Sequence, residues 1–122
     1  MVAPQHDIRV KRIYEAPAGD DGARVLVDRV WPRGVSKEAA ALTQWLKEVA
    51  PTAELRRWFG HDPARWGEFT RRYHAELNAG ADALVPLDAF LKKGRVTLLY
   101  SARDTEHNQA VALAAYLEAR HR

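Results

Sequence analysis

The run Val96-Thr97-Leu98-Leu99-Tyr100 constrains this chain most. It is nearly continuous in apolar character and too short for a helix, which suits a strand covered on both faces. A polar loop, Ser101 to Asn108, follows it. Beyond the loop, Glu106 to Arg120 reads as a helix with Val111, Leu113, Ala114 and Leu117 inward. A strand, loop and helix in that order, with the strand sheltered on both sides, points to helices packed on both faces of a sheet. Val25 to Val30 is a second β-rich run of the same kind.

The other elements fit around these two. Ile8 to Ile13 alternates apolar and basic residues, the pattern of a strand with one exposed side. Pro17, Gly19, Asp20, Asp21 and Gly22 form a turn cluster, so the first two strands are expected to pair as a hairpin. Pro32 and Gly34 end the second strand, and Ser36 can cap a helix over Lys37 to Ala41. Leu42, Trp45, Leu46 and Val49 recur at helical steps, but the segment is short and stops at Pro51, which leaves a strand open. Thr52 can cap a helix over Ala53 to Phe59 that Gly60 ends. Asp62-Pro63 starts the next, with Trp66, Phe69, Tyr73 and Leu77 as its apolar stripe. Leu84, Leu87, Phe90 and Leu91 mark another, from near Pro86 to Gly94. The order β-β-α-α-α-α-β-α predicts an α/β fold: one three-layer domain over residues 1–122, with a small mixed or mostly parallel sheet flanked by helices.

Composition removes several function classes. With 0 cysteines, thiolate catalysis, disulfides and Cys-ligated metal sites are excluded. The histidines show no ligand spacing, so no metal is expected, and no motif points to a cofactor. The apolar runs are too short to span a membrane and the first ten residues lack a signal-peptide core, which makes the cytoplasm the expected compartment. The formal charge of +3 is a mild bias, with basic residues spread among acids. A nucleic-acid partner is therefore the less favoured alternative, resting on Arg9, Lys11 and Arg12 and on Arg56, Arg57, Arg65, Arg71 and Arg72. A protein-binding module is a third reading.

Chemistry is expected at the loops that leave two strands. In open α/β sheets ligands bind beyond the carboxyl ends of the strands. Ser101 to Asn108 lies at such an end, and a helix N-terminus there offers backbone N–H groups to an anion. Arg103 adds a planar fork for phosphate or carboxylate. The second segment is Asp28-Arg29-Val30-Trp31-Pro32-Arg33-Gly34, with two arginines four apart. If the loops share one edge, Arg29, Arg33 and Arg103 would hold a small phosphorylated or anionic ligand, Asp104 and Asn108 would orient it, and Ser101 and His107 would carry any catalysis. The opposing reading is structural. Asp104, His107 and Asn108 would cap the helix, and Arg29 would pair with Asp28 or Asp104. Ser101 lies outside any Gly-x-Ser-x-Gly turn, so nothing activates it as a nucleophile.

Val27 to Gly34, Trp45 to Phe59 and Leu98 to Asn108 together resemble a bacterial family, domain of unknown function 488, in particular its short YeaO-like branch. The likeness covers nearly all of the chain and implies an α/β fold but no assigned activity. Longer relatives carry a cysteine near the position of Tyr100, so their thiol chemistry does not transfer. The family's hallmark segments coincide with the two loops singled out above.

Overall fold

The computed structural model describes residues 7–120. Ile8–Arg12 (β1), Ala23–Leu26 (β2), Gln44–Trp45 (β3) and Val96–Tyr100 (β4) form one sheet in the order β1-β4-β2-β3, and every pairing is parallel. β4 is buried along its whole length, as its apolar run demands. The expected hairpin between the first two strands does not form. β4 lies between them and pairs Leu98 with Val10 on one side and with Val25 on the other. The turn residues are real, but they do not set the pairing. Residues 13–22 run back towards the start of the sheet, held by Lys11 Nζ on the Ala16 carbonyl at 2.8 Å. The strand with most to bury takes the centre and separates its two sequence neighbours.

Among the described residues five α-helices complete the domain: Lys37–Ala40 (α1), Ala53–Phe59 (α2), Trp66–Ala79 (α3), Val85–Lys93 (α4) and Gln109–Arg120 (α5). Thr52 Oγ1 accepts from the Leu55 N–H, and Gly60 closes α2 in the left-handed region at φ 54°. Ser36 caps α1 in the same way, through the Ala39 N–H. The segment after α1 is strand, not helix. Gln44 and Trp45 pair with Val25 and Leu26, and a single 3-10 turn over Lys47–Val49 leads to Pro51.

The two faces of the sheet are covered unequally. Val25, Val27, Val96 and Leu98 pack beneath α3, α4 and α5, with Phe69, Tyr73, Leu87 and Leu113 among the buried partners. On the other face Leu26 and Leu99 meet Ile13 and Ala40, with Trp31, Val35, Leu42 and Trp45 at the edge. That second face is apolar only towards the carboxyl ends of the strands. Towards the amino ends, Arg24 is 5% exposed and lies beside the buried Asp21 and Thr97. Arg24 Nη1 donates to Asp21 Oδ2 at 2.6 Å, and its other nitrogens donate to the Ala40 and Ala41 carbonyls. Lys11 also reaches Asp21, and Thr97 Oγ1 donates to its carbonyl. Gly22, at φ 68°, makes this junction possible, because a β carbon there would come within 2.2 Å of the Arg95 carbonyl oxygen.

Candidate functional site

Asp28 follows β2 at the carboxyl edge of the sheet, and Ser101 follows the adjacent β4. Parallel pairing brings the two positions side by side. Asp28 Oδ2 accepts from the Ser101 hydroxyl at 2.5 Å and from the Ser101 N–H at 3.1 Å. Its Oδ1 accepts from the Gln109 amide at the start of α5. One carboxyl group thus ties the Asp28 to Gly34 loop to the Ser101 to Asn108 loop. Asp28 is 8% exposed, and burial pushes its pKa above the usual carboxylate range, against the pull of these donors and of the Arg56 charge.

Beside this joint lies a cleft of about 750 Å³. That volume is in the range of small-molecule sites. The Asp28 loop lines it with Val30, Trp31 and Arg33, and the β4–α5 loop with Ser101, Arg103 and His107. α2 contributes Arg56 and Arg57, and His61 lies just beyond it in the left-handed region at φ 56°. Such a backbone is uncommon for a residue with a side chain.

The three arginines expected to act together divide. Arg29 turns inward, and Nε and Nη2 donate to the Pro51 and Ala50 carbonyls at 3.1 Å each. It secures the chain before α2, and neither Asp28 nor Asp104 is its partner. Arg33 and Arg103 line the cleft, are exposed, and have no side-chain partner among the described residues. Arg57, from α2, is in the same condition.

The helix entrance is less open than its position suggests. Asp104 Oδ1 accepts from the N–H groups of Glu106 and His107 at 2.9 Å each, and Asp104 Oδ2 accepts from His107 Nδ1 at 2.9 Å. These backbone donors hold the Asp104 carboxyl below the usual carboxylate range, with the His107 ring adding to them. Asn108 is 2% exposed, and its Oδ1 accepts from the Val111 N–H at 3.0 Å. It is the cap of α5, which therefore starts at Gln109 and not at Glu106. Asp104 and Asn108 thus take up N–H groups that an anion would otherwise use. The His107 ring stands edge-on to Trp66, with centroids 5.3 Å apart. It is bonded to Asp104 and not to Ser101, whose hydroxyl is committed to Asp28, so no nucleophilic triad is assembled.

Two features escaped the residue pattern. Asp28 is the joint of the site, and its signal is a lone acid closing the run Val25-Leu26-Val27. Arg56 and Arg57 belong to the cleft, which no local pattern could reveal, since only the packing of α2 brings them there. Among the described residues no cluster of His, Asp and Glu could hold a metal, and no helix is long and apolar enough to cross a membrane.

Comparison with known proteins gives relatives without assigned roles. The uncharacterised protein Rv3073c of Mycobacterium tuberculosis is 42% identical over 113 residues, 93% of this chain and 95% of that protein. The uncharacterised protein YeaO of Escherichia coli is 41% identical over 111 residues, 91% and 96% of the two chains. No solved structure matches. The family model described as the inactive DUF488-N3 subclade matches residues 7–122. With that match and these YeaO-like relatives, the chain belongs to the DUF488 family, in its inactive N3 subclade.

Proposed function

We propose that this domain binds a small phosphorylated or otherwise anionic molecule in the cleft and does not transform it. One observation carries the reading: Arg33, Arg57 and Arg103 come from three separate segments, converge on one cleft, and have no acidic partner among the described residues. A guanidinium fork is suited to phosphate and carboxylate, and several around one cleft favour a multiply charged ligand. Binding without turnover agrees with a Ser101 hydroxyl tied to Asp28, with a His107 tied to Asp104, and with the subclade's description as inactive. The reading places the protein in the cytoplasm, where phosphorylated metabolites are abundant.

The nucleic-acid reading loses most of its contacts to internal partners. Arg9 pairs with Asp7 and Lys11 with Asp21. Arg12 donates to the Ser101 and Ala102 carbonyls. Arg65 pairs with Asp62, while Arg71 and Arg72 pair with Glu68. Only Arg56 and Arg57 of that set remain, and both line the cleft.

The test is a thermal-shift panel of phosphate, sulfate, pyrophosphate, nucleotides, sugar phosphates, small carboxylates and short RNA and DNA. Wild type and Arg103→Ala are compared. A ligand at about a hundred times its Kd stabilises by roughly 2.7 kcal/mol. The expected result is a shift with a small anion that Arg103→Ala loses while keeping its unliganded Tm. A shift confined to RNA or DNA that vanishes with salt, or silence with every small anion, overturns the reading.

A further inference from the structure

The cleft holds more than cations. Among the described residues three large apolar side chains are exposed, Tyr14, Val30 and Val85, and the first two line this same cleft. Tyr14 is 49% exposed and Val30 62%. The Tyr14 hydroxyl donates to the Arg33 carbonyl at 3.0 Å, which fixes the ring beside one of the unpaired arginines. The Arg12 guanidinium covers one face of that ring, 5.0 Å from its centroid. Arg12 is itself held by the Ser101 and Ala102 carbonyls, so the ring has a rigid backing. Half of the side chain still remains exposed, so ring surface is left for a ligand. A lone phosphate would satisfy the guanidiniums but would occupy a small part of about 750 Å³ and leave this apolar surface in water.

We infer that the ligand is a nucleoside diphosphate, with its phosphates on Arg33, Arg57 and Arg103 and its base on the exposed ring of Tyr14. The inference rests on the anion-binding reading above and names its ligand class. Two linked phosphates match several separate guanidiniums better than one phosphate does, because each fork can take its own pair of oxygens. A flat base is the part of such a molecule that an aromatic platform takes up, and stacking of this kind tolerates any base. A guanidinium behind the ring adds to the platform without competing for the ligand.

The experiment is calorimetric titration of the full chain with ADP, UDP, pyrophosphate and adenosine. Wild type, Tyr14→Phe and Tyr14→Ala are compared, each checked for an unchanged melting transition. Expected is ADP and UDP binding roughly tenfold tighter than pyrophosphate, the scale of one stacked base. Tyr14→Phe keeps that advantage, since it retains the ring, and Tyr14→Ala loses it while still binding pyrophosphate. Equal binding of pyrophosphate and nucleoside diphosphates overturns the inference and leaves the anion reading standing. An advantage that persists in Tyr14→Ala overturns the base site. No binding by any of the four overturns the inference, and adenosine binding as tightly as ADP overturns both readings.

Discussion

The two ends of the sheet treat their cations in opposite ways. At the amino ends of the strands the basic side chains among the described residues are satisfied. Arg24 lies buried against Asp21, Lys11 reaches the same carboxylate, and Arg95 bonds Asp7 at 2.8 Å. At the carboxyl ends the exposed arginines face a cleft without acidic partners, while the acids there bond groups of the neighbouring loop and helix instead. Asp28 joins two loops and Asp104 fastens a turn. The same residue type is thus a fastener at one end and an unengaged donor at the other. Cations that stabilise the fold are those whose loss would strand a buried partner. Cations that do not can be spent on a ligand.

Substitutions can break that contrast, and the largest effect belongs to the amino end. Asp21→Ala leaves the Arg24 guanidinium buried without its carboxylate, and breaking a buried pair costs about 3 kcal/mol. The expected Tm falls by roughly 10 °C, which thermal denaturation reads directly. A loss below about 1 kcal/mol would show that the Ala40 and Ala41 carbonyls alone satisfy Arg24.

The next effect is one of sign. The folded state holds Asp21 below the ordinary aspartate pKa, first through the Ala18 N–H and then through Arg24 and Lys11. Its contribution to stability is present above the ordinary value and is lost as pH falls through the lowered one. Asp28 is the reverse, because burial raises it. Its contribution is complete below the ordinary value and is lost as pH rises through the raised one. Asp104, at the cleft, shares the sign of Asp21, so the contrast is read from single variants. Denaturation at several pH values should show Asp28→Asn gaining on wild type as pH rises from about 4 to neutrality. Asp21→Asn should instead lose ground as pH rises towards about 4 from below, and hold level with wild type above it. Parallel curves for the two variants would erase the distinction.

The smallest effect on stability is expected at the cleft. The Arg33→Ala, Arg103→Ala double variant should change stability by less than about 0.5 kcal/mol, because neither side chain has a partner to strand. Chemical denaturation checks this. A larger loss would mean that these arginines fasten the fold as Arg24 does.

Local chemistry made much of this fold legible and could not reach the rest. Thr52 and Gly60 bound α2, and the buried stripe of Phe69, Tyr73 and Leu77 marks α3, because caps and periodicity act over one or two turns. The Val96 to Tyr100 strand was clear from its unbroken apolar character. The pairing was not clear. The Pro17 to Gly22 turn argues for a hairpin using ten residues, whereas the true partner of β1 lies almost ninety residues away, Ile8 beside Val96. The same limit governs the site. Its two loops were visible as strand ends, and Arg33 and Arg103 as their cations. That Arg29 would serve the Ala50 and Pro51 carbonyls, and that Arg56 and Arg57 would join the cleft, depends on where α2 docks.

The position of β4 also bears on how the molecule comes into being. The strand at the middle of the sheet is the last of the described strands to be synthesised. Until residues 96–100 leave the ribosome, β1 has no strand beside it, and β2 has only the two-residue β3. Assembly is therefore dominated by contacts between distant parts of the chain, the kind that form slowly. The nascent polypeptide must carry its apolar strands uncovered through most of its synthesis, and the sheet closes in a late step when β4 inserts between strands already made. A stop codon before Val96 would remove the centre of the domain rather than its edge, leaving β1 unpaired and β2 with only β3 beside it.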